Sequence, residues 1–211
     1  MTGRTDYSRP VAESSQRVRN PWGQGERLRG EILEAAARLL SELGGEQGLT
    51  IRGVARAAGI APASIYQHFS DKSALVKALI DYDAEQLAAA MAAAEAECAP
   101  DALLDRVRAL MRAYCRFALD SPGHYRLIIN NRAYPSTRTG PMREIVQQGI
   151  AAFERCERAG IRLRVSPERA AIIVIVGTHG RVALWHSGGD AAVQSELILD
   201  FVDELVTLVV E

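Results

Sequence analysis

Apolar residues recur along this chain mostly at three- and four-residue steps, the period that stacks side chains on one face of a helix. Leu28, Ile32, Ala35, Leu39 and Leu40 make one such face between about Glu26 and Leu43, and Gly44-Gly45 end it. Ile51, Val54, Ala55 and Ala58 make a second, only eight residues long, with Thr50 placed to cap its first free amides and Gly59 placed to leave it through a left-handed turn. Pro62 stands at the first turn of a third helix that Ala63 to Phe69 carry on, and Ile65 and Phe69 are spaced to pack back on the second. Asp71 is placed to cap a long alanine-rich helix running to about Cys98, stopped before Pro100. Further helices are predicted from Asp101 to Ser121, His124 to Asn131, Met142 to Ala159, Pro167 to about Ser187 and Asp190 to Val210. A breaker-rich loop from Tyr134 to Pro141 and turns at Gly160 and Gly188-Gly189 separate the later ones. No stretch alternates as an exposed strand does, although the β-branched run from Ile172 to Val176 leaves a strand open there. The expectation is an all-α chain: a polar arm over 1–25, a three-helix helix-turn-helix unit over 26–72, and a helical bundle over 73–211.

The face that the short third helix turns outward is small or hydrogen-bonding: Ala61, Pro62, Ala63, Ser64, Gln67 and His68. Such a face suits the DNA major groove, because bulky side chains there would hold the backbone away from base edges. Thr50-Ile51, Val54-Ala55, Ala58-Gly59-Ile60, Ser64-Ile65-Tyr66, His68-Phe69, Asp71-Lys72 and Leu75 together resemble the DNA-binding signature of the TetR family of bacterial repressors. That resemblance covers roughly residues 27–80. It implies phosphate contacts from Thr50, Tyr66, His68 and Lys72, and base-edge contacts from Arg52, Pro62, Ala63, Ser64 and Gln67. The residue types alone also allow Tyr66 as an ordinary half-buried aromatic, His68 as a plain surface residue and Lys72 as a solvated charge. Arg52 stands out, since a guanidinium grips either a phosphate or a guanine edge.

Charge changes the picture only when it is divided along the chain. The net charge of −1 does not by itself point to nucleic-acid binding, but residues 1–80 hold 11 Lys and Arg against 8 Asp and Glu, and residues 81–211 hold 14 against 18. Arg4, Arg9, Arg17, Arg19, Arg27 and Arg29 make the amino-terminal arm basic, as a solvated tail or as an arm that follows the duplex. No apolar run reaches the roughly 18 residues of a membrane span and no signal-peptide core follows Met1, so a cytoplasmic protein is expected. Cys98, Cys115 and Cys156 lack paired spacing and read as buried thiols.

The last two predicted helices carry more apolar residues than one stripe needs. Ala171, Ile172, Ile175, Val176, Val182 and Leu184 lie on one, and Leu197, Ile198, Phe201, Leu205, Leu208 and Val209 on the other. They are either a monomer's core or, paired with a second subunit, the four-helix homodimer interface that the resembled family uses. One short recognition helix reads too few base pairs, which also favours two copies on a palindromic operator. Between reader and interface, Met111, Tyr114, Phe117, Tyr125, Ile128, Phe153, His179, Trp185 and His186 supply either core or the lining of a pocket for a small hydrophobic or aromatic effector. GTHG at 177–180 and ALWHSGG at 183–189 resemble a branch of the family with a Trp-His-Gly type carboxy-terminal domain. His179 and His186, seven apart, share a helix face but have no Asp, Glu or Cys at ligand spacing, so no metal and no cofactor are expected. No zinc helix, nucleophile elbow or phosphate loop points to an enzyme. The reading is therefore a non-enzymatic, ligand-released repressor that binds double-stranded DNA, with a helical-bundle enzyme or lipophile carrier as the alternative.

Overall fold

The structure, a computed structural model, describes residues 24–130, 140–186 and 191–211. The basic arm up to Gly23, the loop around Tyr134-Pro135 and the Gly188-Gly189 turn lie outside the described residues. Helices follow one another as α1 (Gln24–Leu43), α2 (Ile51–Ala57), α3 (Pro62–Ile65), α4 (Lys72–Ala96), α5 (Leu103–Asp120), α6 (Pro122–Ile129), α7 (Met142–Arg158), α8 (Pro167–His186) and α9 (Ala191–Leu208), with a single 3-10 turn at Glu46–Gly48. Among the described residues there is no strand; a lone bridge joins Leu163 to Val210. The all-α expectation is met.

Two cores share the chain. The smaller collects Ile32, Leu40, Leu49, Val54, Ile65, Phe69, Leu75 and Leu79, so α1, α2, α3 and the first half of α4 close on one another. Leu127 of α6 completes it, which brings the body against the reader. Each such fully buried aliphatic side chain contributes about 1.5–3 kcal/mol, enough for a unit of this size to hold its helices together although α2 and α3 are too short to persist alone. The larger core is centred on α5, which packs against α4, α6, α7, α8 and α9. Tyr114 and Phe153 are its largest fully buried side chains.

The run from Ile172 to Val176 is helical: Val174 and Ile175 are buried in the core, whereas Ile172 and Val176 face outward. Ala170, Ala171, Val174, Ile175, Thr178 and Val182 are buried at three- and four-residue steps between α7 and α9. This packing overrides β-propensity. The cysteine expectation holds for Cys115 and Cys156, which are buried, with burial raising both thiol pKa values, Cys115 to about 12. Cys98 departs from it. It lies past the end of α4, where its thiol reaches the carbonyls of Ala94 and Asp105 at 3.7 and 3.8 Å, and it is only half-buried. No described helix is long and apolar enough to cross a membrane.

Candidate functional site

The reader's geometry is set by three local devices. Thr50 is in extended backbone ahead of α2, and its Oγ1 accepts from the Gly53 amide at 3.0 Å, which leaves its hydroxyl proton to donate elsewhere. Gly59 takes φ 68°, a conformation that costs an L-residue roughly 1–2 kcal/mol, and the Ile60 amide donates to the Ala55 carbonyl at 3.0 Å to close the turn. Asp71 caps α4 by accepting from the Ala74 amide at 2.8 Å, and that bond, with the Ser70 hydroxyl behind it, holds its carboxyl below the usual range.

The third helix is shorter than its sequence pattern suggests. It spans Pro62–Ile65, and Tyr66 to His68 continue as tight turns, with Gln67 and His68 donating to the carbonyls three residues back. The Phe69 amide still donates to the Ile65 carbonyl at 2.9 Å, so these residues close one mixed turn that delivers Phe69 to the core instead of extending the helix. Arg29 lies over the Phe69 ring at 5.4 Å, closing the base of the unit. Thr50, Arg52, Pro62, Ala63, Tyr66, Gln67 and Lys72 are exposed, whereas Ser64 and His68 are half-buried. Tyr66, at 55% exposure, is a large hydrophobic side chain with little packed over it. Lys72 donates from Nζ to the Glu46 carbonyl at 3.1 Å, which fixes the ammonium beside the 3-10 turn.

In the body, the nine residues named from sequence gather around the larger core. Met111, Tyr114, Tyr125, Ile128 and Phe153 are buried in it, with Phe117 and Trp185 packed on its margin. The two phenols converge on one imidazole: His179 Nδ1 lies 2.6 Å from Tyr125 Oη and 3.2 Å from Tyr114 Oη. Tyr125 stacks on His186 at 5.3 Å, and Trp185 meets His186 edge-on at 4.6 Å. His186 Nε2 lies 3.0 Å from the Ala118 carbonyl, so it carries the proton. Burial raises Tyr114 well above an ordinary phenol and Tyr125 to about 12, and it lowers both imidazoles. The cluster is therefore uncharged at neutral pH. On α8, the helix that carries both of these histidines, Trp185 Nε1 and Thr178 Oγ1 are buried without a hydrogen-bond partner among the described residues. Three clefts, of about 880, 510 and 570 Å³, are lined by other residues.

Two family models match this chain. One describes bacterial regulatory proteins of the tetR family and covers residues 32–79; the other describes a tetracyclin repressor-like C-terminal domain and covers residues 107–209. The chain belongs to the TetR family. It is a DNA-binding transcriptional regulator with a helix-turn-helix unit and a ligand-binding carboxy-terminal domain. Solved structures of the TetR fold include a protein of unknown function from Rhodococcus sp. RHA1, 26% identical with a TM-score of 0.71, covering 92% of this chain and 100% of that one. A TetR family transcription regulator from Marinobacter aquaeolei VT8 is 19% identical, with a TM-score of 0.65 over 89% of this chain and 98% of that one. The regulator FadR from Bacillus subtilis, solved with stearoyl-CoA, is 15% identical, with a TM-score of 0.62 over 82% of this chain and 96% of that one.

This TetR chain also holds a polar line that the sequence reading missed. Ser41 Oγ of α1 lies 2.8 Å from His124 Nε2 of α6, and His124 Nδ1 lies 2.8 Å from Asp83 Oδ2 of α4. Asp83 is 2% exposed and His124 7%. Burial raises the Asp83 carboxyl pKa more than the imidazole lowers it. The order serine, histidine, aspartate is that of a nucleophilic triad, but Ser41 sits inside α1, where its amide is engaged in the helix and its hydroxyl also donates to the Ala37 carbonyl at 3.2 Å. No oxyanion donor is thus available from its own backbone. The line instead ties reader to body. One signal for it was present: Leu75, Leu79, Asp83, Leu87 and Met91 step by four, so a carboxylate stands on an otherwise apolar helix stripe.

Proposed function

We propose that this TetR-family regulator is a homodimeric repressor that binds a palindromic operator in the cytoplasm and is released by a small hydrophobic or aromatic effector. The carrying observation is the small-residue face of exposed Pro62, Ala63 and Gln67 and half-buried Ser64, flanked by exposed Arg52, Tyr66 and Lys72. In this reading Arg52, Pro62, Ala63, Ser64 and Gln67 meet base edges, while Thr50, Tyr66, His68 and Lys72 grip phosphates. Dimerisation through α8 and α9 is supported by their outward apolar residues: Ile172, Val176 and Leu184 step by fours and eights along α8, and Leu197 and Leu208 stand out on α9. The reader at 26–72 and the body at 73–211 act as two units that share α4.

The effector would sit in the body against Met111, Tyr114, Phe117, Tyr125, Ile128, Phe153, His179, Trp185 and His186. Trp185 Nε1 and Thr178 Oγ1, unpartnered among the described residues, support a ligand that brings hydrogen-bonding groups as well as apolar surface. FadR, of the same fold, was solved in complex with stearoyl-CoA, which is in keeping with an effector that has an apolar part. Release requires the effector to favour one of two states by about 1–3 kcal/mol.

The test is selection of genomic fragments by the full chain, followed by titration of the selected duplex. Arg52→Ala should lose affinity and relax base preference, whereas Lys72→Ala should weaken all duplexes alike and flatten the salt dependence. Identical behaviour of the two variants would refute the roles, and absence of any selected palindrome would refute the function.

A further inference from the structure

A cleft of about 880 Å³ opens between the reader and the body, lined by the 43–48 turn, the start of α4 and α6. It lies apart from the Tyr–His cluster and shares only Lys72 with the residues assigned to DNA. Its volume falls within the range of small-molecule sites. Three cations line it, Lys72, Lys77 and Arg126, against one carboxylate, Glu46. Lys72 gives one donor to the Glu46 carbonyl, and Arg126 gives Nη2 to the Gly44 carbonyl at 2.8 Å. An ammonium has three donors and a guanidinium five, so both groups are held in place by the turn with donors to spare. Exposed Leu43 and half-buried Val76 supply aliphatic surface in the same cleft, which Ile80 and Leu127, buried in the smaller core, also line. The walls are close at their base: a Cβ on Gly123 of α6 would meet the Gly44 carbonyl carbon at 3.3 Å and the Leu40 oxygen at 3.4 Å.

We infer that this cleft binds a small phosphorylated molecule, its phosphates on Lys77, Arg126 and Lys72 and its apolar part on the aliphatic surface. The concavity and the aliphatic surface favour a free small molecule over the backbone of a duplex, which is convex and offers nothing apolar. Because the 43–48 turn belongs to the reader and α6 to the body, an occupant would clamp one to the other and bias their relative position. The site stands on its own geometry and does not depend on operator binding.

Inorganic pyrophosphate is the probe, titrated into the full chain without DNA and followed by the amide resonances of Gly44, Gly45, Gly48 and Gly123, with sodium chloride of equal ionic strength as the blank. Saturable movement of these four amides beyond the blank is expected. Arg126→Gln and Lys77→Gln should each weaken the midpoint about tenfold, the effect of losing one hydrogen bond to a charged group. Arg143→Gln, on exposed α7 surface, should change nothing. If Arg126→Gln does not fold, Lys77→Gln alone decides. Movement that follows the salt blank, indifference to both variants, or movement confined to residues 50–67 would each overturn the proposal. The last outcome would place the anion on the DNA-reading face. None of these readouts uses DNA, so their failure leaves the repressor reading intact.

Discussion

Removing the imidazole of His124 should destabilise this protein far more than removing either surface it touches. In the folded chain Asp83 is 2% exposed and has His124 Nδ1 at 2.8 Å as its hydrogen-bond partner. His124→Ala strips that partner and leaves a buried carboxylate alone, a change that costs about 3–5 kcal/mol. Ser41→Ala removes only an exposed hydroxyl that keeps a second partner within its own helix, which costs about 0.5–1.5 kcal/mol at most. Replacing both buried partners, as Asp83→Leu with His124→Leu, should lose much less than His124→Ala, because no charge is then stranded. With an m-value of about 2–3 kcal/mol/M, the single variant should lower the urea midpoint by roughly 1–2 M, measured at fixed protomer concentration because dimerisation contributes to stability. The pH dependence adds a second check. Burial already raises the Asp83 carboxyl, and the imidazole's hydrogen bond and charge are what oppose it, so their loss raises it further. The folded variant then keeps a proton that the unfolded chain gives up, and stability is lost as pH rises through the raised value and regained below it. The deficit of His124→Ala against the parent should therefore shrink on acidification. A deficit no larger than that of Ser41→Ala, or one that is flat with pH, would refute the account of His124 as the partner that holds the buried Asp83 carboxyl.

Other outcomes follow from the same geometry. Thr50→Val removes the acceptor for the Gly53 amide and should cost about 1 kcal/mol, read by thermal melting. Gly59→Ala forces a side chain into φ 68° and should cost roughly 1–2 kcal/mol while weakening DNA binding, since α3 is aimed by that turn. Gly123→Val pushes α6 off the end of α1 and should cost about 1–3 kcal/mol, with a lowered urea midpoint as the measure. His179 and His186 are held below the ordinary 6.5 by burial, so the unfolded chain binds protons first as pH falls. Their contribution is complete above pH 6.5 and lost below it, and His179→Leu should flatten part of that acid loss in urea titrations.

The sequence by itself determined the elements whose causes are local. Spacing of apolar residues placed all the described helices to within a few residues, and Thr50, Gly59 and Asp71 marked their ends, because capping and left-handed turns depend on the residue at the position and its immediate neighbours. Where α3 stops was not local: Phe69 is committed to the core shared with α1, α2 and α4, and that shortens the helix. The run from Ile172 to Val176 was ambiguous because its outward residues are as apolar as its buried ones, which erases the periodicity that distinguishes helix from strand. Only the tertiary structure brought Ser41, Asp83 and His124 into line from three helices, joined Tyr114 and Tyr125 to one imidazole, and set Lys72, Lys77 and Arg126 around a single cleft. These pairings span separations of tens of residues, and a charge or phenol seen in sequence carries no record of which distant group will share its burial; packing alone decides that.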